Sequence, residues 1–206
     1  MSSCKSEGMQ NDDLYSVSHA VRRQANAQGD AAVFTFENKR TTFSELDKKS
    51  NQTARALIAA GIKKGDRVGV LSKNSPIYFE IIAAAAKMGA VVNSVNWRLA
   101  ADEIRYVFDD SGSKLIFVGA EFVDIIGDVL PTLKVQAPVF DIEGTGSKYP
   151  HYETWRDEHS DAPLDIETSS DDPIVQLYTS GTTGRPKGAV LSHRSIWPCG
   201  DRTQRM

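Results

Sequence analysis

The sequence predicts an α/β fold, a largely parallel sheet flanked by helices. Three observations carry this expectation. Short β-type runs alternate with helical segments at a spacing that suits parallel strands joined by crossover helices. Glycines and capping signals mark many of the changes from one type to the other. The composition, 40% hydrophobic and 25% charged over 206 residues, is that of a globular chain able to bury a substantial core.

Residues 1–13 are polar and are expected to form a disordered tail ahead of a single partial domain over 14–206. Leu14, Val17, Val21 and Ala25 then recur at helical spacing, with Gly29 as a stop. Two β-type runs, 33–37 and 40–43, surround Asn38-Lys39 and suit a hairpin. Thr42, with Glu45 three residues on, reads as a capping box. It opens a helix with Leu46, Ala54, Leu57 and Ile58 on one face, ending near Gly61. A strand over 67–72 (RVGVLS) follows, then a helix started by Ser75-Pro76 and closed by Gly89. That helix is apolar nearly all round, so it should be buried. Residues 90–95 are strand-like, and Ile104, Val107 and Phe108 mark a helix ending at Gly112. A strand at 114–118, a helical stripe of Phe122, Ile125, Ile126, Val129 and Leu130, and a strand at 138–142 complete the alternation. No internal repeat is present. The stretch 143–172 is rich in loop formers and then acidic, with one short amphipathic turn around Trp155, and reads as a connection between two layers or subdomains. Strands at 174–179 (IVQLYT) and 188–192 (GAVLS) end the pattern.

Charge narrows the function classes. Twenty-four Lys and Arg against 27 Asp and Glu give a net charge of −3, which offers no general reason for nucleic acid or an anionic membrane as partner. The distribution is uneven: 157–172 holds seven acids and no Lys or Arg, whereas 180–206 holds five Lys or Arg and one acid. An anion site belongs in that last stretch. Cys4 and Cys199 form no CxxC pair, which suits a reducing compartment. The first 13 residues lack the apolar core of a signal peptide, and the most apolar run, 77–92, is broken by Glu80 and Lys87 and too short to span a membrane. The expected compartment is the cytoplasm.

The loop region 178–188 (YTSGTTGRPKG) carries the most chemistry. It has three glycines, several hydroxyls and two cations, with no acid among them. Glycines let backbone N–H groups approach a ligand closely. Ser and Thr hydroxyls can donate to phosphoryl oxygens, and Lys187 supplies a mobile point charge. The string departs from a P-loop: Gly188 stands where the magnesium-binding hydroxyl belongs, and a β-run follows in place of a helix. On the residues alone two readings stay open, a polyanion site and a plain Gly/Ser/Thr turn between strands.

The full string resembles the phosphate-binding signature of the adenylate-forming enzymes, which include acyl-CoA synthetases, luciferases and peptide-synthetase adenylation domains. The likeness continues through Ala189-Val190-Leu191-Ser192-His193-Arg194. Upstream, Thr42-Phe43-Ser44-Glu45-Leu46, Lys87-Met88-Gly89-Ala90-Val91-Val92, Asn96-Trp97-Arg98-Leu99 and Asp110-Ser111-Gly112 are similar to further family segments, so the resemblance covers about 14–200. Its flavour is that of fatty- or medium-chain acyl-CoA synthetases. The resemblance implies the N-terminal part of such an enzyme's large domain. It implies a ligase in which a carboxylic acid attacks Mg·ATP to give an acyl-adenylate and pyrophosphate, coenzyme A then taking the acyl group. Ser180, Gly181, Thr182, Thr183 and Gly184 would wrap the β- and γ-phosphates, Lys187 would neutralise the departing pyrophosphate, and Thr179 would bind phosphate and help place Mg2+.

Other candidates have plainer readings. His193 is expected to have a structural or loop-ordering role, and His151 and His159 to be solvent-exposed. Lys63-Lys64 reads as a solvated loop pair, Trp97-Arg98 as a structural turn, and Asp171-Asp172 as the start of a strand. Ala100 lacks the hydroxyl that would cap the following helix. The family's later motifs (an adenine-stacking aromatic, a magnesium-binding glutamate, a ribose-binding aspartate and a second lysine) have no counterpart in the 206 residues. The 200–206 stretch lacks apolar periodicity, which is expected of a truncation or frame change. Catalytic residues are therefore not assigned, and an inactive chain with an exposed apolar patch near the last strand is expected. The competing readings are a short non-catalytic protein that binds a nucleotide or a partner through the same loop, and an unrelated α/β NTPase, which Gly188 and the strand after it disfavour.

Overall fold

The computed structural model describes residues 16–146, 148–179 and 185–196. The polar tail 1–13, Leu14, Cys4, Cys199 and the stretch 200–206 lie outside the described residues.

Helix α1 (Val17–Gln28) leads to a hairpin of β1 (Ala32–Phe36) and β2 (Lys39–Thr42). The turn sits one residue earlier than the sequence suggested. Glu37 and Asn38 have φ of 47° and 63°, and Phe36 pairs with Lys39. Two successive positive φ values are the signature of a type I′ turn, whose twist matches the flanking strands. The capping box forms as expected: Thr42 Oγ1 accepts from the Glu45 N–H at 3.2 Å, and the Glu45 carboxylate accepts from the Thr42 N–H at 2.8 Å. It opens α2 (Phe43–Ala59). Leu46, Ala54 and Leu57 are buried, but Ile58 is 42% exposed. The polar Ser50, Asn51 and Thr53 share the buried face instead. Asn51 and Thr53 find partners deeper in the core, so their burial leaves no orphaned groups.

The remaining elements are β3 (Arg67–Leu71), α3 (Pro76–Met88), β4 (Val91–Ser94), α4 (Ala101–Ser111), β5 (Leu115–Val118), α5 (Val123–Val129), β6 (Val139–Asp141), α6 (Tyr152–Asp157), β7 (Pro173–Thr179), β8 (Lys187–Ser192) and α7 (His193–Ile196). Ser75 caps α3 through the Tyr78 N–H, and Gly89 ends it at φ 74°, a left-handed conformation that glycine adopts without strain. At α4 the missing hydroxyl of Ala100 is half compensated, since the Glu103 carboxylate accepts from the Ala100 N–H at 2.9 Å.

The main sheet has the order β6-β5-β3-β4-β7-β8. Its first five strands run parallel, and β7 and β8 are antiparallel. Residues 180–186 are too few for a crossover, so β7 and β8 must form a hairpin. One face packs on α1, α2, α3 and α6, the other on α4 and α5. Val68, Val70, Leu115 and Phe117 meet Leu57, Ile81 and Ala84 on the first face. Ile116 and Val118 meet Ile104, Val107 and Ile126 on the second. Gly69 is required by this packing, because a Cβ there would stand 2.5 Å from the Phe108 ring. The stretch 143–172, expected as a connection, carries α6, whose Tyr152 and Arg156 are buried against α2 and α3. Leu177 and Val190 are 38% and 48% exposed, but they project from opposite faces of the sheet, since Leu177 pairs with Ala189 and Val190 with Gln176, so they do not form one apolar patch.

Candidate functional site

Chain order and sheet order part at one place. From β3 the chain moves to β4 on one side, then to β5 on the other side of β3. The crossover helices α3 and α4 therefore lie on opposite faces, and a crevice opens beyond the carboxyl ends of β3 and β4, where open α/β sheets bind ligands. A cavity of about 220 Å³ occupies it, with Ser72, Asn74, Ser94, Asn96 and Tyr178 among its lining. On its wall Ser94 Oγ and the Tyr78 hydroxyl are 2.6 Å apart. Trp97 is covered by Arg98, 3.9 Å from the ring centre, and by Lys73 at 5.2 Å. Arg98 comes from Trp97's own loop after β4, and Lys73 from the neighbouring loop after β3. A larger cleft of about 660 Å³, bordered by Lys39, Lys73, Glu80 and Glu143, shares Ser72 and Asn74 with the crevice and extends towards β6.

Thr179 ends β7 at the same carboxyl edge, and Lys187 opens β8 directly opposite it. A directly opposed pair projects from one face of a sheet, so an exposed hydroxyl and an exposed ammonium stand together where the loop departs. Ser180, Gly181, Thr182, Thr183 and Gly184 lie outside the described residues. Just before them, the Tyr178 hydroxyl donates to Asp110 Oδ2 at 2.6 Å and accepts from Gln176 Nε2 at 3.0 Å. Burial, and then the bond to the Asp110 carboxylate, push the Tyr178 pKa well above that of a free phenol. It is a permanent donor at neutral pH.

This donor set suits a polyphosphate and its magnesium ion. Among the described residues no group of three or more His, Cys, Asp or Glu side chains is placed to hold a metal. Magnesium commonly binds through substrate phosphates and one or two protein oxygens, keeping several waters. The Thr179 hydroxyl is a hard oxygen of that kind.

His193, His151, His159 and the paired charges are engaged with the chain's own groups. His193 is fully buried, its Nδ1 accepts from the Val17 N–H at 3.2 Å, and burial lowers its pKa to about 4. His151 and His159 are half-buried, not fully exposed, with His159 Nδ1 3.1 Å from the Trp155 carbonyl oxygen. Lys64 is more than a solvated charge, since its ammonium lies 2.6 Å from Asp172. Asp172 also accepts from the Ser169 N–H, and Asp171 bonds Arg194 at 2.9 Å, so this acidic pair organises the start of β7.

Two buried ion clusters were not visible as such in the sequence. Glu80 meets Arg156 at 2.9 Å, the Tyr152 hydroxyl at 3.2 Å and Lys49 at 3.8 Å. Lys87 donates to Asp47, Asn51 and the Asp47 carbonyl. Both sit on α3, whose alanine-rich surface packs under the sheet. The signal was available: a charge in an otherwise apolar helix must find a partner if the helix is buried.

Comparison with known proteins shows the family and the fold. Residues 21–201 match the AMP-binding enzyme family. The fatty acid–[acyl-carrier-protein] ligase ScoC of Streptomyces coeruleorubidus is 41% identical over 166 residues, covering 80% of this chain and 30% of its own length. The long-chain-fatty-acid–CoA ligase FadD13 of Mycobacterium tuberculosis is 38% identical over 157 residues, covering 76% of this chain and 30% of its own. Among solved structures, a Mycobacterium tuberculosis fatty acyl CoA synthetase superposes with a TM-score of 0.78 at 28% identity, over 90% of this chain and 36% of that one. The chain thus spans about 30% of the length of these two curated relatives.

Proposed function

The chain belongs to the AMP-binding enzyme family, and from that premise we propose that it forms the N-terminal, phosphate-holding part of an ATP-dependent carboxylate-activating ligase. In the whole reaction a carboxylate oxygen attacks the α-phosphorus of Mg·ATP, pyrophosphate leaves, and an acyl-adenylate forms. A thiol sulfur then attacks the acyl carbon, AMP leaves, and a thioester results. The first step depends on positioning and on charge stabilisation at the phosphates.

The observation that carries this reading is the opposed pair Thr179 and Lys187 at the carboxyl edge of the sheet, beside the crevice where sheet order reverses. The loop between them holds Ser180, Gly181, Thr182, Thr183 and Gly184, whose hydroxyls and backbone N–H groups would wrap the β- and γ-phosphates. Lys187 would balance the charge of the departing pyrophosphate. Bound magnesium would supply Lewis-acid charge at the phosphates, with Thr179 as one protein oxygen.

The acid class that fits best is a fatty or medium-chain acid, since both curated relatives above are named for fatty acids. Their names differ in the thiol, an acyl-carrier protein in one and coenzyme A in the other. Coenzyme A is the acceptor proposed here. ATP, magnesium and coenzyme A are all available in the cytoplasm, the compartment proposed from cysteine usage. Among the described residues no helix is long and apolar enough to cross a membrane.

Ligand competition tests the reading. Mg·ATP and magnesium tripolyphosphate should compete for one site on the chain, whereas AMP, lacking β- and γ-phosphates, should compete weakly. AMP binding as tight as ATP, with no competition from tripolyphosphate, would place the contact elsewhere.

A further inference from the structure

Both stems of the loop 180–186 rest on one helix. Tyr106 and Asp110 are one turn apart on α4 and therefore share a face. Asp110 Oδ2 accepts the hydroxyl proton of Tyr178, the residue next to the end of β7, at 2.6 Å. On the returning stem, the Arg185 guanidinium lies 5.4 Å from the centre of the Tyr106 ring, within cation–π range. The platform is itself fixed, because Ile104, Val107 and Phe108 anchor α4 in the core.

Gly188 makes this arrangement possible. It pairs with Tyr178 across the β7–β8 ladder. A Cβ at Gly188 would stand 2.5 Å from Gln176 Nε2, 2.9 Å from Tyr178 Cζ and 3.1 Å from its hydroxyl oxygen. With no side chain there, the tyrosine ring can lie across β8 and still reach Asp110. Gln176 continues the chain of contacts: it donates to the Tyr178 hydroxyl and accepts from Arg67 Nε at 3.1 Å. Arg67 in turn donates to the Gly65 carbonyl at 2.8 Å, so the tyrosine is tied back to the start of β3.

We infer that Asp110 and Tyr106 are positioning residues for the phosphate loop, acting through Tyr178 and Arg185 to hold its two stems in the register that brings Thr179 and Lys187 together. The inference rests on the phosphate-loop reading above. It also gives a reason for glycine after the lysine, where a P-loop would carry a hydroxyl residue: the position must admit the tyrosine ring.

The test measures Mg·ATP affinity by titration calorimetry, amide hydrogen exchange over 185–190 and the melting midpoint. The proteins are the unmodified chain and its Tyr178→Phe, Asp110→Ala, Asp110→Asn and Lys187→Ala variants. Tyr178→Phe and Asp110→Ala should each weaken Mg·ATP by about tenfold, because losing one charge-assisted hydrogen bond lowers the population of the binding-competent stems. Exchange at 185–190 should quicken while the melt stays cooperative. Asp110→Asn, which keeps an acceptor oxygen, should recover most of the affinity. Unchanged affinity in Tyr178→Phe and Asp110→Ala, with binding lost in Lys187→Ala, would overturn the positioning role and leave the phosphate loop standing. Unchanged exchange would overturn it too, and so would loss of a cooperative melt in Tyr178→Phe, since the bond would then serve the fold at large. Mg·ATP binding that is absent, or indifferent to Lys187→Ala, would overturn the loop reading and the positioning role with it.

Discussion

Lys87 Nζ lies 2.6 Å from Asp47 Oδ1, although the two residues are 40 positions apart in the chain. The Asn51 side-chain oxygen at 2.7 Å and the Asp47 carbonyl at 2.9 Å complete its acceptors. The lysine is 4% exposed. Burial, opposed by the bond to Asp47, lowers its pKa from 10.5 to about 8.

Lys87→Met removes the donor from a buried cluster and leaves Asp47 and Asn51 without it. Urea unfolding at pH 7.5 should show a loss of about 3 kcal/mol, the low end for breaking a buried pair, because the Asp47 side chain is 15% exposed and can find water. The folded pKa lies below the unfolded one, so between pH 8 and 10.5 the unfolded chain binds more protons. Lys87 therefore makes stability rise with pH in that window, by at most ~1.4 kcal/mol per pH unit. The difference between unmodified chain and variant should widen from pH 7.5 to pH 10. A constant difference would contradict this account of Lys87.

Arg156 and Glu80 make the second buried pair, with side chains 5% and 4% exposed. Arg156→Met strands a carboxylate in the core and should cost about 3–5 kcal/mol at pH 7. Burial already raises the Glu80 pKa above 4.5. A raised carboxyl pKa favours the fold at low pH, an effect lost as pH rises through the folded value. Removing Arg156 raises that pKa further, so the deficit should shrink below about pH 4.5, where the carboxyl is protonated in both states. Urea midpoints at pH 4 and pH 7 measure it. Equal deficits would mean that Glu80 is not held as an ion by Arg156.

His193 ties α7 to α1 through the Val17 N–H. Its folded pKa, about 4, is below the ordinary 6.5. The stability it contributes is complete above pH 6.5 and is lost as pH falls towards 4, up to ~3 kcal/mol in all. Amide protection in the first turn of α1, corrected for intrinsic rates, should therefore fall between pH 7 and pH 5. His193→Asn should flatten that dependence, and a dependence that survives the substitution would assign it to another group.

The reciprocal cap at α2 gives a simpler prediction. Thr42→Ala removes the oxygen that accepts the Glu45 N–H and should cost about 1 kcal/mol in thermal or urea unfolding. Thr42→Ser should restore most of it.

What was legible in the sequence was local. Thr42 with Glu45, Ser75 with Pro76, and the glycines at 89 and 112 fix helix ends through neighbours a few residues away, and these boundaries appear where the sequence puts them. The hairpin turn moved by one residue because Glu37, not a usual left-handed residue, takes positive φ so that strand twist and turn agree. Long-range partners were hidden. Lys87 with Asp47, Tyr178 with Asp110 and Arg156 with Glu80 are 40, 68 and 76 positions apart, and spacing along a chain says nothing about which charges the fold will join. Lys187 was singled out by the loop's composition, but the role of Tyr178 and the helix that holds the loop stems came into view only with the topology.

The phosphate-holding role proposed for Lys187 and its hydroxyl neighbours, between β7 and β8, predicts that the chain binds a nucleotide polyphosphate there. Calorimetric titration of the chain and of Lys187→Ala with Mg·ATP tests it most directly. The unmodified chain should bind saturably, and the variant should lose at least about tenfold, the scale of one lysine–phosphate contact. Equal affinity in the two proteins, with the fold of each intact, would contradict it.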